Sequence, residues 1–159
     1  MSSDCPSAPI TTEIARVCRH EVLTGDYRIL SLYAPVAARR TRPGQFIHLQ
    51  IPNLGEAILR RPFSIYRTDA DTLSILYKPV GKGTRAMLTI RTDDAVSLIG
   101  PLGNGFPVER HVDQPVLVAG GYGMAALYMV AAALSRRGVI FMGGASARDI
   151  LCVDDFVAL

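Results

Sequence analysis

The chain has 159 residues, of which 49% are hydrophobic and 19% are charged, a composition typical of a folded globular protein. Its net charge of +3 is too small for a general nucleic-acid-binding surface, which needs many clustered basic residues. The cysteines, Cys5, Cys18 and Cys152, form no CxxC pair. They therefore predict no disulfide framework, metal ligand set or iron–sulfur site, and they favour a reducing, cytoplasmic setting. The N-terminus lacks the charged and apolar regions of a signal peptide, so we expect no export.

Short β-type runs separated by turn residues occupy the first part of the chain, from Thr11 to about Phe106. The predicted strands are ITTEIARVCRHEVL, YRILSLYAP, GQFIHLQIP, RPFSIYR, TLSILYKPV and DAVSLIG. Turn signals lie at Thr24–Asp26, Arg42–Gly44, Pro52–Gly55, Asp69–Asp71 and Thr92–Asp94. One helix is predicted at Thr84–Ile90. Several strands at this spacing predict an antiparallel β-barrel or sandwich over residues 1–112.

The stretch RRPFSIYR, from Arg60 to Arg67, combines three arginines with the alternating apolar pattern of a half-buried strand. A solvated turn would tolerate the arginines but has little use for Phe63, Ile65 and Tyr66. The pattern therefore predicts that an anionic ligand is bound at the edge of a strand.

A second glycine-containing stretch, LYKPVGKGTRAML, carries the only two lysines of the chain, Lys78 and Lys82. Gly81 and Gly83 let the backbone approach a ligand closely, and Thr84 is predicted to cap the helix that follows. The first amides of that helix would then be free for a phosphate. The alternative is an ordinary glycine turn with two solvated lysines.

After Pro107 the pattern changes to two buried strands that alternate with two helices. The predicted elements are the strand QPVLVAG, the loop GYG, the helix MAALYMVAAALSRRG, the strand VIFMGGAS and the helix ARDILCVDDFVAL. This βαβα order predicts the first half of a Rossmann-like α/β domain over residues 113–159. Two parallel strands cannot bury both faces of their sheet alone, so either another chain completes the domain or the chain is a shortened form.

The uncharged run Val116–Leu134 is long enough to raise the question of a membrane span. Its glycines favour a strand, a tight loop and a helix instead, and we predict no membrane span.

Gly121, Gly123 and Ala126 satisfy G-x-G-x-x-A in the strand-to-helix context of a dinucleotide site. Ser146 and Arg148, after the second strand, are candidates to contact a ribose or its 2′-phosphate. The alternative is that they only cap the second helix.

The order of barrel, RPFS, YKPVGKGT, GPLGNGF and VAGGYGMAAL resembles the ferredoxin–NADP reductase superfamily, and within it the electron-transfer subunits of dihydroorotate dehydrogenase complexes. The resemblance runs from about Glu13 to Leu159. LRRPFSIY and GPLGNGF are its more specific motifs.

This resemblance implies a Greek-key β-barrel that binds FAD, followed by an incomplete Rossmann-like domain with a candidate NAD(P)H site. It places Arg61 at the flavin pyrophosphate and Phe63 and Ser64 against the isoalloxazine. The full set of implied cofactor contacts is Arg61, Pro62, Phe63, Ser64, Leu76, Tyr77, Lys78, Gly83, Thr84, Gly121, Gly123, Ser146 and Arg148. The flavin performs the electron chemistry, so no catalytic acid–base residue is predicted.

The sequence also departs from the family pattern. Ala126 stands where relatives usually have proline. The part that carries a further nicotinamide contact and the four cysteines of a [2Fe–2S] cluster is not encoded in this chain.

We therefore predict a flavin-dependent electron-transfer subunit that works between NAD(P)H and a partner protein. A non-catalytic, reductase-like subunit completed by a partner chain is the alternative, and a membrane-associated component is a third hypothesis. The sequence identifies neither the electron acceptor nor the oligomeric state.

Overall fold

The computed structural model describes residues 10–52, 59–108 and 113–159. Within these ranges six antiparallel strands form a closed barrel in the order β1-β2-β5-β4-β3-β6. The strands are β1 (Thr11–Thr24), β2 (Tyr27–Tyr33), β3 (Phe46–Leu49), β4 (Arg61–Asp69), β5 (Thr72–Tyr77) and β6 (Ala95–Leu102). Three consecutive strands, β3 to β5, pair in order, and β2 lies beside β5, which is the Greek-key arrangement. The predicted antiparallel barrel is confirmed.

The barrel core follows from the alternation of apolar residues along its strands. Leu30, Leu32, Leu73 and Ile75, from the paired strands β2 and β5, are fully buried in one cluster. Phe63 and Ile65 of β4 enter the same cluster, as the period-2 pattern of RPFSIYR predicts. The strand β4 therefore anchors its apolar face inside the barrel.

Two short helices lie on the barrel. Helix α1 (Pro35–Arg40) was not predicted. Its first amides donate hydrogen bonds to a residue that is distant in the sequence: the Glu13 carboxylate accepts from the amides of Val36 at 3.2 Å and Ala37 at 3.0 Å. Helix α2 (Lys82–Ala86) starts two residues before the predicted helix and continues as a 3-10 turn at Met87–Thr89.

Residues 113–159, called the second half below, contain two parallel strands and two helices, so the predicted βαβα order is observed. Strand β7 (Val116–Gly120) pairs with β8 (Val139–Gly143), and a 3-10 turn at Gly121–Met124 leads directly into α3 (Ala125–Ala133). The run Val116–Leu134 is thus divided among a strand, a turn and a helix. Among the described residues, no helix is long and apolar enough to cross a membrane.

The last two predicted helices are shorter than the sequence indicates. Helix α3 ends at Ala133 rather than near Gly138, and the predicted helix from Ala147 divides into a 3-10 turn (Ala147–Asp149) and α4 (Val153–Val157). The division occurs where Leu151 is buried at the interface with the barrel and Cys152 has a left-handed φ of 56°. Tertiary packing therefore overrides local helix propensity in this segment.

The two halves share a second apolar cluster. The barrel contributes Tyr27, Ile29, Tyr66 and Leu76, and the second half contributes Ala119, Met124, Ala125 and Leu151. Strand β5 is consequently buried on both faces, because Leu73 and Ile75 point into the barrel while Leu76 packs under the second half.

One face of the β7–β8 sheet remains uncovered. Val118 is 73% exposed and Phe141 is 60% exposed, and Val116 and Val139 on the same face are also exposed. The opposite face, with Ala119 and Met142, packs into the shared cluster. Both faces of a parallel sheet are normally covered, so this face is unusual.

Two sequence predictions concern residues that the structure describes only in part. The predicted turn at Pro52–Gly55 lies mostly outside the described residues. The predicted domain boundary after residue 112 borders the undescribed residues 109–112 and stays a prediction.

Candidate functional site

A pocket of about 240 Å³ lies where β4 and β5 meet the segment that leads into α2. It is lined by Pro62, Phe63, Ser64, Leu76, Tyr77, Lys78, Val80, Thr84 and Tyr122. All of these except Val80 and Tyr122 are predicted cofactor contacts. The structure therefore brings these predicted contacts together in one pocket, from two segments that are separate in the chain.

The two cationic and glycine-rich segments converge beside this pocket. A Cβ atom added to Gly83 would lie 3.3 Å from Nε of Arg61, so the Arg61 side chain lies directly against the glycine. The Arg61 guanidinium donates from Nη1 only to nearby carbonyls, that of Leu59 at 3.0 Å being the shorter contact. No carboxylate of the described chain pairs with it. An anion between Arg61 and the Gly83 backbone would meet an uncompensated positive charge.

Helix α2 begins differently from the prediction. Its N-cap is Gly81, and Thr84 lies within the first turn. The Thr84 hydroxyl reaches back and accepts hydrogen bonds from the amides of Val80 at 3.0 Å and Gly81 at 3.1 Å. Thr84 thereby closes the glycine turn instead of capping the helix from outside, and the first-turn amides have no acceptor inside the helix.

Tyr77 is held in the pocket wall by a histidine that the sequence analysis did not select. His20 Nδ1 lies 2.9 Å from the carbonyl of Ile90, and its Nε2 lies 2.8 Å from the Tyr77 hydroxyl. Because a carbonyl only accepts, neutral His20 donates from Nδ1 and accepts from Tyr77 at Nε2. Burial raises the pKa of Tyr77 to about 12, so its phenol remains a donor at neutral pH. The Phe63 ring lies edge-on to Tyr77, with the centroids 6.3 Å apart.

Ser64 and Tyr122 also line the pocket. The Ser64 hydroxyl makes no hydrogen bond within the part of the chain that the structure describes. Tyr122 is 52% exposed and comes from the 3-10 turn of the glycine loop, so it brings a side chain of the second half into a pocket of the barrel. Its position between Gly121 and Gly123 was the only sequence signal for it.

The glycine loop lies at the carboxyl end of the parallel strands, where α/β sheets bind ligands. Gly121 has a positive φ of 50°, and a Cβ atom added to Gly123 would meet no atom within 4 Å. The backbone is therefore open to close approach at Gly123. Gly121 and Gly123 are not among the lining residues of the barrel pocket and form a separate candidate site.

Ser146 and Arg148 follow β8 at the same end of the sheet. Ser146 is the N-cap of the 3-10 turn, and its hydroxyl donates to Oδ2 of Asp149 at 2.8 Å. The Ser146 amide donates to the same oxygen at 3.0 Å. Ser146 thus has the capping role that the sequence left as an alternative, although for the 3-10 turn, while its hydroxyl oxygen can still accept a hydrogen bond. Arg148 is exposed on this turn.

Asp149 also joins the turn to the barrel. Its Oδ1 accepts from the Tyr27 hydroxyl at 2.6 Å and lies 3.6 Å from Nζ of Lys78. The Lys78 ammonium lies 4.7 Å from the centroid of the Tyr27 ring. The Tyr27 hydrogen bond is the main cause that lowers the pKa of Asp149 to about 2, so this carboxylate is charged at neutral pH.

A second aspartate repeats this arrangement further along the chain. The hydroxyl of fully buried Tyr66 donates to Asp155, and Nη1 of Arg67 lies 3.8 Å from the same carboxylate. Burial, followed by this hydrogen bond, raises the pKa of Tyr66. A barrel tyrosine and a barrel cation therefore meet each of two aspartates of the second half.

The described residues contain no group of three or more histidine, cysteine, aspartate or glutamate side chains arranged to hold a metal ion. The candidate site has aromatic, hydroxyl and cationic groups around a pocket, with an open glycine backbone nearby.

Comparison with curated proteins reveals close sequence relatives. A dihydroorotate dehydrogenase B (NAD(+)) electron transfer subunit from Lysinibacillus sphaericus is 34% identical over 134 residues, which cover 82% of this chain and 52% of the relative. The subunit of the same name from Bacillus caldolyticus is 37% identical over 114 residues, 69% of this chain and 44% of the relative. The chain therefore spans about half the length of the curated relatives it matches.

Solved structures share its fold. An NADH-dependent reduced ferredoxin-NADP oxidoreductase matches with a TM-score of 0.75 and 25% identity over 91% of this chain and 53% of that protein. The ferredoxin reductase in carbazole 1,9a-dioxygenase matches with a TM-score of 0.76 and 23% identity over 95% of this chain and 47% of that protein.

No protein-family model matches the chain. The sequence relatives and the shared barrel-plus-α/β fold nevertheless agree with each other and confirm the resemblance carried by the RPFS and glycine motifs. The chain is therefore similar in sequence to dihydroorotate dehydrogenase B electron transfer subunits and has the fold of the ferredoxin–NADP reductase superfamily.

Proposed function

We propose that this chain is a flavin-dependent electron-transfer subunit that binds FAD in the barrel pocket and works between NAD(P)H and a partner protein. The convergence of Arg61 on Gly83 beside the pocket carries this proposal. A cofactor with a flat ring and a diphosphate needs an aromatic-lined slot next to a cation and an open backbone. The described residues provide the slot in this pocket, and Arg61 and the Gly83 backbone provide the cation and the open backbone beside it.

Each candidate residue has a role that fits its surroundings. Arg61 and the Gly83 backbone bind the diphosphate, while Phe63, Ser64 and Pro62 lie along the ring. Leu76 and Tyr77 line the remaining wall, and His20 keeps the Tyr77 hydroxyl in place. The bound flavin would supply the electron chemistry, and the chain contributes position and electrostatics.

The glycine loop is the proposed site of the nicotinamide dinucleotide. Gly123 leaves room for a pyrophosphate, and the Ser146 hydroxyl oxygen and Arg148 are available for a ribose or its phosphate. The name of the relatives includes NAD(+), which supports a nicotinamide partner for this chain. A cytoplasmic setting, favoured by cysteines that form no CxxC pair in the sequence, completes the proposal.

The absorption spectrum of the purified protein tests flavin binding directly. We expect a yellow protein, or a colourless one that takes up added FAD. A preparation that stays colourless after incubation with FAD would contradict the proposal.

Arg61→Ala then tests the site. We expect FAD affinity to fall by about 1.5 to 3 kcal/mol, the contribution of a hydrogen bond to a charged group. Arg136→Ala is the matched control, because Arg136 lies after α3 in the second half and is exposed. Equal FAD affinity in both variants would remove Arg61 from the site.

A second candidate function is favoured by the uncovered β7–β8 face. Its exposed valines and Phe141 would suit a reductase-like interaction subunit whose sheet is completed by a partner chain. A yellow protein that NAD(P)H does not reduce, even with its partner present, would favour this non-catalytic function.

A further inference from the structure

Lys78 adjoins the flavin pocket and the second half of the chain at once. It is one of the pocket-lining residues, yet its ammonium is paired with Asp149, 3.6 Å away, and lies over the Tyr27 ring. The same cation therefore stands between a carboxylate of the protein and the proposed cofactor site.

Asp149 does not depend on Lys78 for its position. Its Oδ1 accepts from Tyr27 at 2.6 Å, and its Oδ2 accepts twice from Ser146, at 2.8 and 3.0 Å. The Lys78 contact is longer than the roughly 2.7–2.9 Å of a charge-assisted hydrogen bond. Lys78 is consequently the loosest member of the cluster, and Asp149 stays hydrogen-bonded if Lys78 leaves.

A diphosphate bound at Arg61 and Gly83 would present a second anion to this lysine. A lysine ammonium sits on a flexible four-carbon stem, so it can exchange between neighbouring anions at little conformational expense. We propose that Lys78 is shared between Asp149 and the cofactor diphosphate, so that the second half of the chain lowers the FAD affinity of the barrel. This inference rests on the proposed function, because it requires FAD in the pocket.

The sign of the effect separates this role from a structural one. Asp149→Asn keeps one acceptor oxygen, which can still accept from the Ser146 amide, and its side-chain NH2 can donate to the Tyr27 hydroxyl oxygen. It removes the charge that holds Lys78. Released Lys78 would then strengthen FAD binding by at least about two- to fivefold, the range for an exposed ion pair, because the Lys78 side chain is only 32% exposed. A variant that merely damaged the interface would weaken FAD binding instead.

FAD titrations of the apoprotein, followed by flavin fluorescence, test the proposal with four variants. We expect tighter binding in Asp149→Asn, weaker binding in Lys78→Met, and no further change when Asp149→Asn is added to Lys78→Met. Asp154→Asn removes the same charge from an exposed neighbour and should leave the affinity unchanged. Asp149→Gln replaces Asp149→Asn if the latter does not fold, because glutamine also suits this capping-box position.

Three results would overturn the proposal. Weaker FAD binding in Asp149→Asn would assign Asp149 a structural role. Tightening that persists in the Lys78→Met background would mean that the carboxylate acts directly on the diphosphate. A wild-type protein that binds no FAD would contradict the proposed function itself. If the wild type binds FAD but the variants do not show the expected pattern of affinities, only the sharing of Lys78 is contradicted.

Discussion

The barrel and the β7–β8 sheet differ in how completely their strands are paired and their faces are buried. The barrel closes on itself, so each strand has two neighbours and a core of its own. The parallel pair has only one ladder, and it buries one face against the barrel while the other remains exposed. The second half thus depends on the barrel to bury the inner face of its sheet, whereas the barrel has a separate core in addition to the shared cluster.

The two regions also differ in their balance of basic and acidic residues. The described residues of the barrel half include thirteen arginines and lysines against seven acidic residues, whereas residues 113–159 include three against four. Two pairs of opposite charges meet at the interface, where Lys78 faces Asp149 and Arg67 faces Asp155. The interface therefore combines apolar burial with charge complementarity.

The largest effect expected from this comparison concerns ligand selectivity. Gly123→Val should abolish binding of a nicotinamide dinucleotide at the loop while FAD content is unchanged, because the side chain fills the proposed approach of the pyrophosphate. The ligand-free fold should tolerate the change, since no atom lies within 4 Å of the added Cβ. Equilibrium binding of NADH and NADPH measures the loss; survival of both affinities would make the loop a simple turn.

A matched pair of valines sharpens the contrast in burial. Val17 in β1 is fully buried and Val118 in β7 is 73% exposed. Val17→Ala should lower the free energy of unfolding by about 1.5 to 3 kcal/mol, whereas Val118→Ala should change it by less than about 0.5 kcal/mol. Urea denaturation measures both. A large loss in Val118→Ala would show that this face is covered in solution, for instance by a second copy of the chain.

The smallest expected effect is a pH dependence that arises at the interface. The pKa of Asp149 is lowered from its ordinary 3.8 to about 2, so its contribution to stability is present above about pH 4 and is lost as the pH falls toward 2. Tyr27→Phe removes the main cause of this shift and should make the acid-induced loss shallower.

Urea midpoints measured between pH 5 and pH 2 test this prediction. Tyr33→Phe is the control, because Tyr33 is a partly exposed tyrosine of the same strand without a carboxylate partner among the described residues. An identical pH profile in wild type and Tyr27→Phe would contradict the assigned cause.

Sequence patterns predicted the features that depend on local periodicity and short motifs. The alternation in RPFSIYR placed β4 and its inward residues, and the G-x-G after an apolar strand placed the start of α3. The pairing of Arg61 with Gly83 followed from family resemblance rather than from spacing, because nothing local brings these segments together.

The missed features have causes that lie far away in the chain. The first amides of helix α1 donate to Glu13 of strand β1, and Tyr77 is held by His20 of the same strand. The break before α4 arises from packing on the barrel, where Leu151 is buried. Long-range contacts of this kind leave no periodic signal in a single sequence.

Tyr122 is the one side chain of residues 113–159 that lines the barrel pocket. Its ring is carried on a backbone flanked by glycines, so a ligand that reshaped the glycine loop would also change the shielding of a flavin bound in the pocket. The fluorescence intensity of a bound flavin would then depend on whether a nucleotide occupies the neighbouring glycine loop.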